Sequence, residues 1–104
     1  MTLTIPSYAE EAITVSTYDS SNNSFYVNSG RGFSRSNRIK PNFAAPGVDI
    51  STVGSTLGGA PVITASTGSS LAAALTAGAT AQFMQWAVTN ILLICKSIIG
   101  NRIP

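Results

Sequence analysis

The chain has 104 residues and a formal net charge of +2. Only 10% of its residues are charged, against about 25% in an ordinary soluble domain, whereas 44% are hydrophobic. It contains no histidine and one cysteine, which excludes a histidine base, a histidine metal ligand and an internal disulfide within this chain. Because no charged residue lies between Asp49 and Lys96, the chain lacks the charges that coat an independent globule, and we expect a part of a larger domain.

Two short runs near the start of the chain favour β-strands. Residues 12–18 mix β-branched and aromatic side chains, and residues 24–28 form a second run. The segment between them, residues 19–23, consists of turn formers whose side chains can bond to their own backbone. This spacing predicts a hairpin or a meander.

A basic, glycine-containing segment follows at residues 29–41 and lacks any periodicity, which predicts an exposed loop. Phe33 lies among its four cationic residues, and this mixture would suit stacking and phosphate contacts with a nucleic acid. A solvated loop explains the same charges, and the net charge is small. We therefore expect no nucleic-acid partner. The cationic residues are Arg31, Arg35, Arg38 and Lys40.

Small residues dominate the next part of the chain. Residues 42–50 predict a turn at Pro46 that leads into a short strand, and residues 51–60 predict a surface connection rich in glycine, serine and threonine. Residues 61–65 predict a brief strand. This strand delivers the chain to a turn formed by residues 67–70.

A long apolar helix is expected from Ser70 to about Val88. Its large apolar residues are distributed around the whole helix, and a helix that is apolar on every side must be covered on every side, so we expect it to be buried. Asn90 is expected to break it, with a second helical piece or a terminal strand continuing to Gly100. The large apolar residues are Leu71, Leu75, Phe83, Met84, Trp86 and Val88.

The stretch from Leu71 to Ile94 exceeds the about 20 apolar residues needed to cross a bilayer. Threonine, glutamine and asparagine residues are spread through it, and flanking basic residues are sparse. We therefore expect a core helix and no membrane partner, with a small membrane-anchored protein as the alternative.

Ser70 stands where a turn runs into this helix. The first amides of a helix have no intrahelical acceptor, and its dipole is positive at that end, so a serine there can meet a developing negative charge. An ordinary helix N-cap would explain a serine at this place equally well.

Three segments resemble, in the same order, segments of subtilisin-like serine proteases. They are AITVSTYDSSNNSF, SGRGFSRSNRIKPNFAAPGVDI and TGSSLAAALTAGATA, and together they cover most of residues 12–88. The chain departs from the family pattern at Ser16 for glycine, Asn42 for aspartate, Ser69 for threonine and Ala74 for proline. The opening TLTIP and the later MQW are similar to clostridial subtilases linked to spore germination.

The resemblance implies an α/β fold, namely a partial three-layer subtilisin-like fold with short strands, the nucleophile turn and a buried alanine-rich helix. Residues 1–104 would be a C-terminal fragment of the catalytic domain. Ser70 would be the nucleophile, with its own backbone N–H as an oxyanion donor, and Gly68 and Ser69 would bind substrate. In the intact parent, such a serine endopeptidase hydrolyses peptide bonds through an acyl-enzyme.

The family also needs a histidine, an aspartate and an oxyanion asparagine from earlier in the chain. Without a histidine, these 104 residues cannot assemble the triad and are expected to be inactive alone. A non-catalytic pseudoprotease or interaction fragment is the alternative. The resemblance implies a peptide or protein substrate, no cofactor apart from structural calcium in the parent, and an extracellular, cell-surface or spore-surface location. The charge deficit predicts that the isolated chain self-associates.

Overall fold

The computed structural model describes residues 3–7, 9–32 and 37–100. These residues form short strands followed by one long helix, which confirms the α/β class. The elements are β1 (Val15–Asp19), β2 (Ser24–Phe25), β3 (Phe43–Pro46), β4 (Ile50–Ser55), β5 (Pro61–Ser66) and α1 (Ser69–Gly100).

Strand β1 is the centre of a three-stranded sheet with the order β2-β1-β3. It pairs antiparallel with β2, where Tyr18 lies opposite Phe25, and this is the predicted hairpin. The turn between them is closed at Asp19, whose carboxylate accepts hydrogen bonds from the Ser21 backbone N–H and hydroxyl at 2.9 and 2.7 Å. On its other side β1 pairs parallel with β3, from Val15 opposite Phe43 onward.

A second sheet consists of β4 and β5, which pair antiparallel from Ile50 opposite Ser66 to Ser55 opposite Pro61. The prediction of a surface connection over residues 51–60 is therefore wrong for the half that forms β4. Glycine and serine suggested a loop there. The β-branched residues Thr52 and Val53 instead find ladder partners on β5, and cross-strand pairing outweighs the local composition.

Helix α1 contains 32 residues, which corresponds to about 48 Å. The predicted end near Val88 and the break at Asn90 are wrong, because the helix continues unbroken to Gly100. The Asn90 side-chain amide donates to the Trp86 carbonyl at 2.8 Å and so bonds within the helix instead of interrupting it.

The expectation of a buried helix also differs from the structure, in which Ala72 is the one buried residue of α1. The first turns of the helix pack against β1 and β3. These strands are only four and five residues long, about 13–17 Å, and cannot cover a helix of this length. Trp86 and Leu92 are accordingly about 60% exposed.

By length and composition alone, α1 is apolar enough to cross a membrane, since its best 18-residue window has a mean hydropathy of 1.4. Core helices of soluble proteins can meet the same criterion. None of that window is buried within the described part of the chain.

Polar side chains contribute to the small packed region between β1, β3 and the start of α1. Thr17 is fully buried at its centre, beside the buried Ala45 and Ala72. Lys40 is 6% exposed, and its ammonium donates to the Ala12 carbonyl and, at 3.1 Å, to the Asn42 side-chain oxygen. The packed region thus contains polar as well as apolar side chains.

Candidate active site

The turn that carries Ser70 connects the end of β5 with the start of α1. β5 ends at Ser66 and α1 begins at Ser69, so only Thr67 and Gly68 lie between them. The Leu71 backbone N–H donates to the Gly68 carbonyl at 3.1 Å, which closes the turn. Ser70 is exposed in the first turn of the helix, as the sequence predicted for a serine at this place.

Two hydrogen bonds attach this turn to the loop after β3. The Gly68 backbone N–H donates to the Gly47 carbonyl at 2.8 Å. The Asp49 backbone N–H donates to the Thr67 hydroxyl at 2.9 Å, and Asp49 adopts a φ of 52°. The loop after β3 therefore holds the Ser70 turn in place. The prediction of a turn at Pro46 is wrong in position, because Pro46 ends β3 through pairing with β1 and the chain bends at residues 48–49.

A cavity of about 300 Å³ opens beside Ser70. The two serines at the helix start line it together with residues of the N-terminal segment and β1, including Ser7, Ile13 and Val15. A second cavity of about 220 Å³ adjoins Ser69 and extends to Asn28 and Leu3. The structure thus brings the predicted nucleophile and one predicted substrate-binding residue, Ser69, to a concave surface. Gly68 lines neither cavity.

The contribution of the N-terminal segment to this cavity was not predicted. Pro6 and Ser7 mark a turn in the sequence, and nothing local shows that this turn lies beside the start of α1. A structural link is visible in the Thr14 hydroxyl, which donates to the Ser7 carbonyl at 2.8 Å. The segment is therefore attached to the residue before β1.

The described residues that line the cavity beside Ser70 are uncharged. Among the described residues, no titratable side chain lines the cavity beside it, and no group of acidic, cysteine or histidine side chains could hold a metal ion. Hydrogen bonds from the Ser21 hydroxyl and then its backbone N–H lower the pKa of Asp19, which lies at the hairpin turn. The site as described offers an exposed hydroxyl and helix amides without a proton acceptor beside them.

The described cations of the basic segment have partners within the chain. The Arg31 guanidinium lies 4.5 Å from the centre of the Phe25 ring, and Arg38 pairs with Glu10 at 3.1 Å. Lys40 is buried, as described above. Phe33 and Arg35 lie outside the described residues. Arg31, Arg38 and Lys40 therefore each contact a partner within the chain.

Comparison with known proteins gives one family. No curated protein and no solved structure matches the chain significantly. The model of the subtilase family matches residues 1–93, which includes the N-terminal segment, both sheets and most of α1. Since this match covers nearly the whole sequence, the chain belongs to the subtilase family of serine proteases.

Proposed function

We propose that Ser70 is the nucleophile of a subtilisin-like serine endopeptidase and that this chain forms the C-terminal part of its catalytic domain. The observation that carries the proposal is the position of Ser70: exposed, in the first turn of α1 and beside a cavity of about 300 Å³. The family match extends across this turn. A helix start with free amides next to a concave surface suits acyl transfer.

In this proposal the Ser70 oxygen attacks the scissile carbonyl while a histidine from an upstream segment takes its proton. The Ser70 backbone N–H donates to the oxyanion that forms, together with an asparagine side chain that is also upstream. The tetrahedral intermediate then collapses, and the histidine returns the proton to the leaving amine. Water hydrolyses the resulting ester. Gly68 and Ser69 would lie along the bound peptide.

The 104 residues alone should be catalytically silent, because they contain no histidine. In subtilisin itself, removal of the nucleophile or the histidine lowers kcat by about a million-fold, and loss of the oxyanion asparagine lowers it by about 100- to 1,000-fold. A chain without base and without that donor retains no useful activity. The parent could use calcium structurally, with backbone carbonyls as ligands.

Self-association of the isolated chain is a second part of the proposal. It is supported by the exposed apolar side chains along α1, among them Phe83, Trp86 and Leu92. In the intact catalytic domain, upstream segments would cover this helix. A membrane-anchored protein remains the competing function for the same helix. We also propose an extracellular, cell-surface or spore-surface location, since subtilases are commonly secreted or surface proteins. The similarity of TLTIP and MQW to clostridial subtilases supports the spore-germination branch as part of this proposal.

A chimera tests the nucleophile. Residues 1–93 replace the corresponding part of an active subtilase, and hydrolysis of a peptide substrate is measured. Ser70→Ala should abolish activity, whereas Ser20→Ala, in the distant hairpin turn, should leave it unchanged. Full activity of the Ser70→Ala chimera would refute the assignment. An inactive parent chimera would favour the alternative of a non-catalytic relative.

A further inference from the structure

Gly47 connects the central strand with the turn that carries Ser70. Its backbone N–H donates to the Tyr18 carbonyl of β1 at 3.2 Å, and its carbonyl accepts the Gly68 N–H at 2.8 Å. The residue is buried. Gly47 is thus bonded on one side to the sheet and on the other side to the Ser70 turn.

The space around Gly47 has no room for a side chain. A Cβ atom there would stand 2.5 Å from the Thr17 Cγ2 atom and 2.8 Å from the Gly68 carbonyl oxygen, both well below van der Waals contact. Gly47 is not among the described residues with positive φ, so the restriction comes from space and not from backbone conformation.

The two neighbours differ in their freedom to move. Thr17 lies in the middle strand, is fully buried, and its backbone N–H is held by the Ser29 hydroxyl at 2.8 Å. Gly68 is partly exposed in a short turn. An added methyl group would therefore displace the turn more readily than the strand.

We propose that Gly47 is a positioning residue for the nucleophile. The absence of its side chain sets the distance between β1 and the Ser70 turn, and so fixes the Ser70 oxygen and N–H above the cavity. This inference rests on the proposed role of Ser70. Ordinary contact begins near 3.4 Å, so a methyl group at Gly47 pushes the Gly68 carbonyl outward by about half an ångström. A displacement of about 1 Å can cost about 100-fold in rate, and this smaller shift should cost about tenfold in kcat.

The positional effect is measured first in the 104-residue chain, by residue-resolved amide hydrogen exchange. Four variants are compared with the wild type: Gly47→Ala, Thr17→Ala, the double variant, and Gly78→Ala as a matched control. Gly78 has open space where its Cβ would stand. Thr17→Ala removes the Cγ2 atom, so the double variant keeps the short contact with the Gly68 carbonyl and an ordinary contact with the Ala72 Cβ at 3.4 Å.

The double variant separates positioning from general stability. The free energy of global unfolding of the double variant should return toward that of Thr17→Ala. The Gly68 amide should still exchange at least about tenfold faster than in the wild type. Thr17→Ala and Gly78→Ala should leave Gly68 exchange, corrected for global stability, unchanged. Wild-type exchange at Gly68 in the double variant would overturn the proposal, because a purely structural role predicts that both readouts recover together.

A second variant covers the case in which neither Gly47 variant folds. Thr67→Val removes the acceptor for the Asp49 N–H without adding an atom to the packed region. Faster exchange at Gly68 and Asp49, by at least about threefold beyond any global change, would show that the loop after β3 holds the turn. Unchanged exchange at Gly68 would overturn the attachment of the turn to the loop after β3, on which the proposal depends.

The active chimera supplies the catalytic readout. There, the double variant should lower kcat about tenfold relative to Thr17→Ala, whether or not KM rises with it through the displaced Gly68, which lies along the bound peptide. A change confined to KM would overturn positioning of the nucleophile. If the chimera is inactive even with its native residues, the proposed function fails, whereas the exchange experiment still decides whether Gly47 fixes the turn.

Discussion

Replacing Asn42 by aspartate should stabilise the chain through Lys40. The buried Lys40 ammonium donates to the Asn42 side-chain oxygen at 3.1 Å, and the Thr14 backbone N–H donates to the same oxygen at 2.8 Å. Among the described residues, no carboxylate pairs with Lys40. Asn42→Asp would turn a neutral acceptor into a charged one without changing its size.

The magnitude follows from the two bonds and from their exposure. The Thr14 bond changes from a neutral hydrogen bond, which contributes about 0.5–1.5 kcal/mol to stability, to a bond with a charged group, which contributes about 1.5–3 kcal/mol. The Lys40 bond already has a charged donor and becomes an ion pair. Because Asn42 itself is exposed, solvent screens part of this difference while the cost of desolvating the new carboxylate stays small. We expect a net gain of about 1 kcal/mol, or about 4–8 °C in Tm for a chain of this size.

The pH dependence gives a second criterion. Lys40 and the Thr14 N–H favour the charged form, so the folded-state pKa of the introduced carboxylate should lie below its unfolded value of about 3.9. The gain should therefore be complete above that value and disappear as the pH falls through the folded-state pKa.

Urea denaturation at pH 7 and at pH 2.5 measures both effects, with the Lys40→Met background as the control. In the Lys40→Met background, Asn42→Asp should raise the free energy of unfolding by no more than half as much as in the wild type, because the cation is gone. The reasoning is refuted if the variant is less stable than the wild type at pH 7, if the gain persists at pH 2.5, or if Lys40→Met leaves it unchanged.

Three further outcomes are expected. A fluorophosphonate probe should not label Ser70 in the 104-residue chain faster than it labels free serine, and faster labelling would contradict the proposed dependence on an upstream base. The chain should sediment as oligomers and bind a dye for apolar surface, and replacement of both Phe83 and Trp86 by glutamine should weaken the association; monomeric behaviour of the wild type at high concentration would count against it. Ser21→Ala should raise the Asp19 pKa toward its ordinary value, as followed by NMR titration, because the strongest hydrogen bond that lowers it is lost; the small stability that this bond adds is present above the unfolded pKa and disappears at lower pH.

Local patterns in the sequence predicted the hairpin and the position of Ser70. The hairpin turn is closed by Asp19 and Ser21, two residues apart, so the information lies within one short segment. Ser70 follows from the turn residues before an apolar helix. The end of that helix was not predictable in the same way, since Asn90 can either interrupt a helix or bond back to the Trp86 carbonyl.

The parts that were missed depend on partners far along the chain. Strand β4 forms because Thr52 and Val53 meet β5, and its own glycine and serine argue for a loop. The cavity beside Ser70 depends on Ser7, which no local pattern connects with the helix start. The space requirement at Gly47 involves Thr17 and Gly68 simultaneously, and the sequence shows only a small-residue turn.

The hydrogen bonds around the site also have a consequence for the order of folding. Thr14 and Asn42 are 28 residues apart, and Asp49 and Thr67 are 18 residues apart, so each bond closes a long loop before it contributes. Helix α1 needs only neighbours within four residues and can form on a microsecond timescale. During refolding of the complete chain the apolar helix can therefore form before the sheet that anchors its first turn, and it would then be exposed while the Ser70 turn has not yet formed.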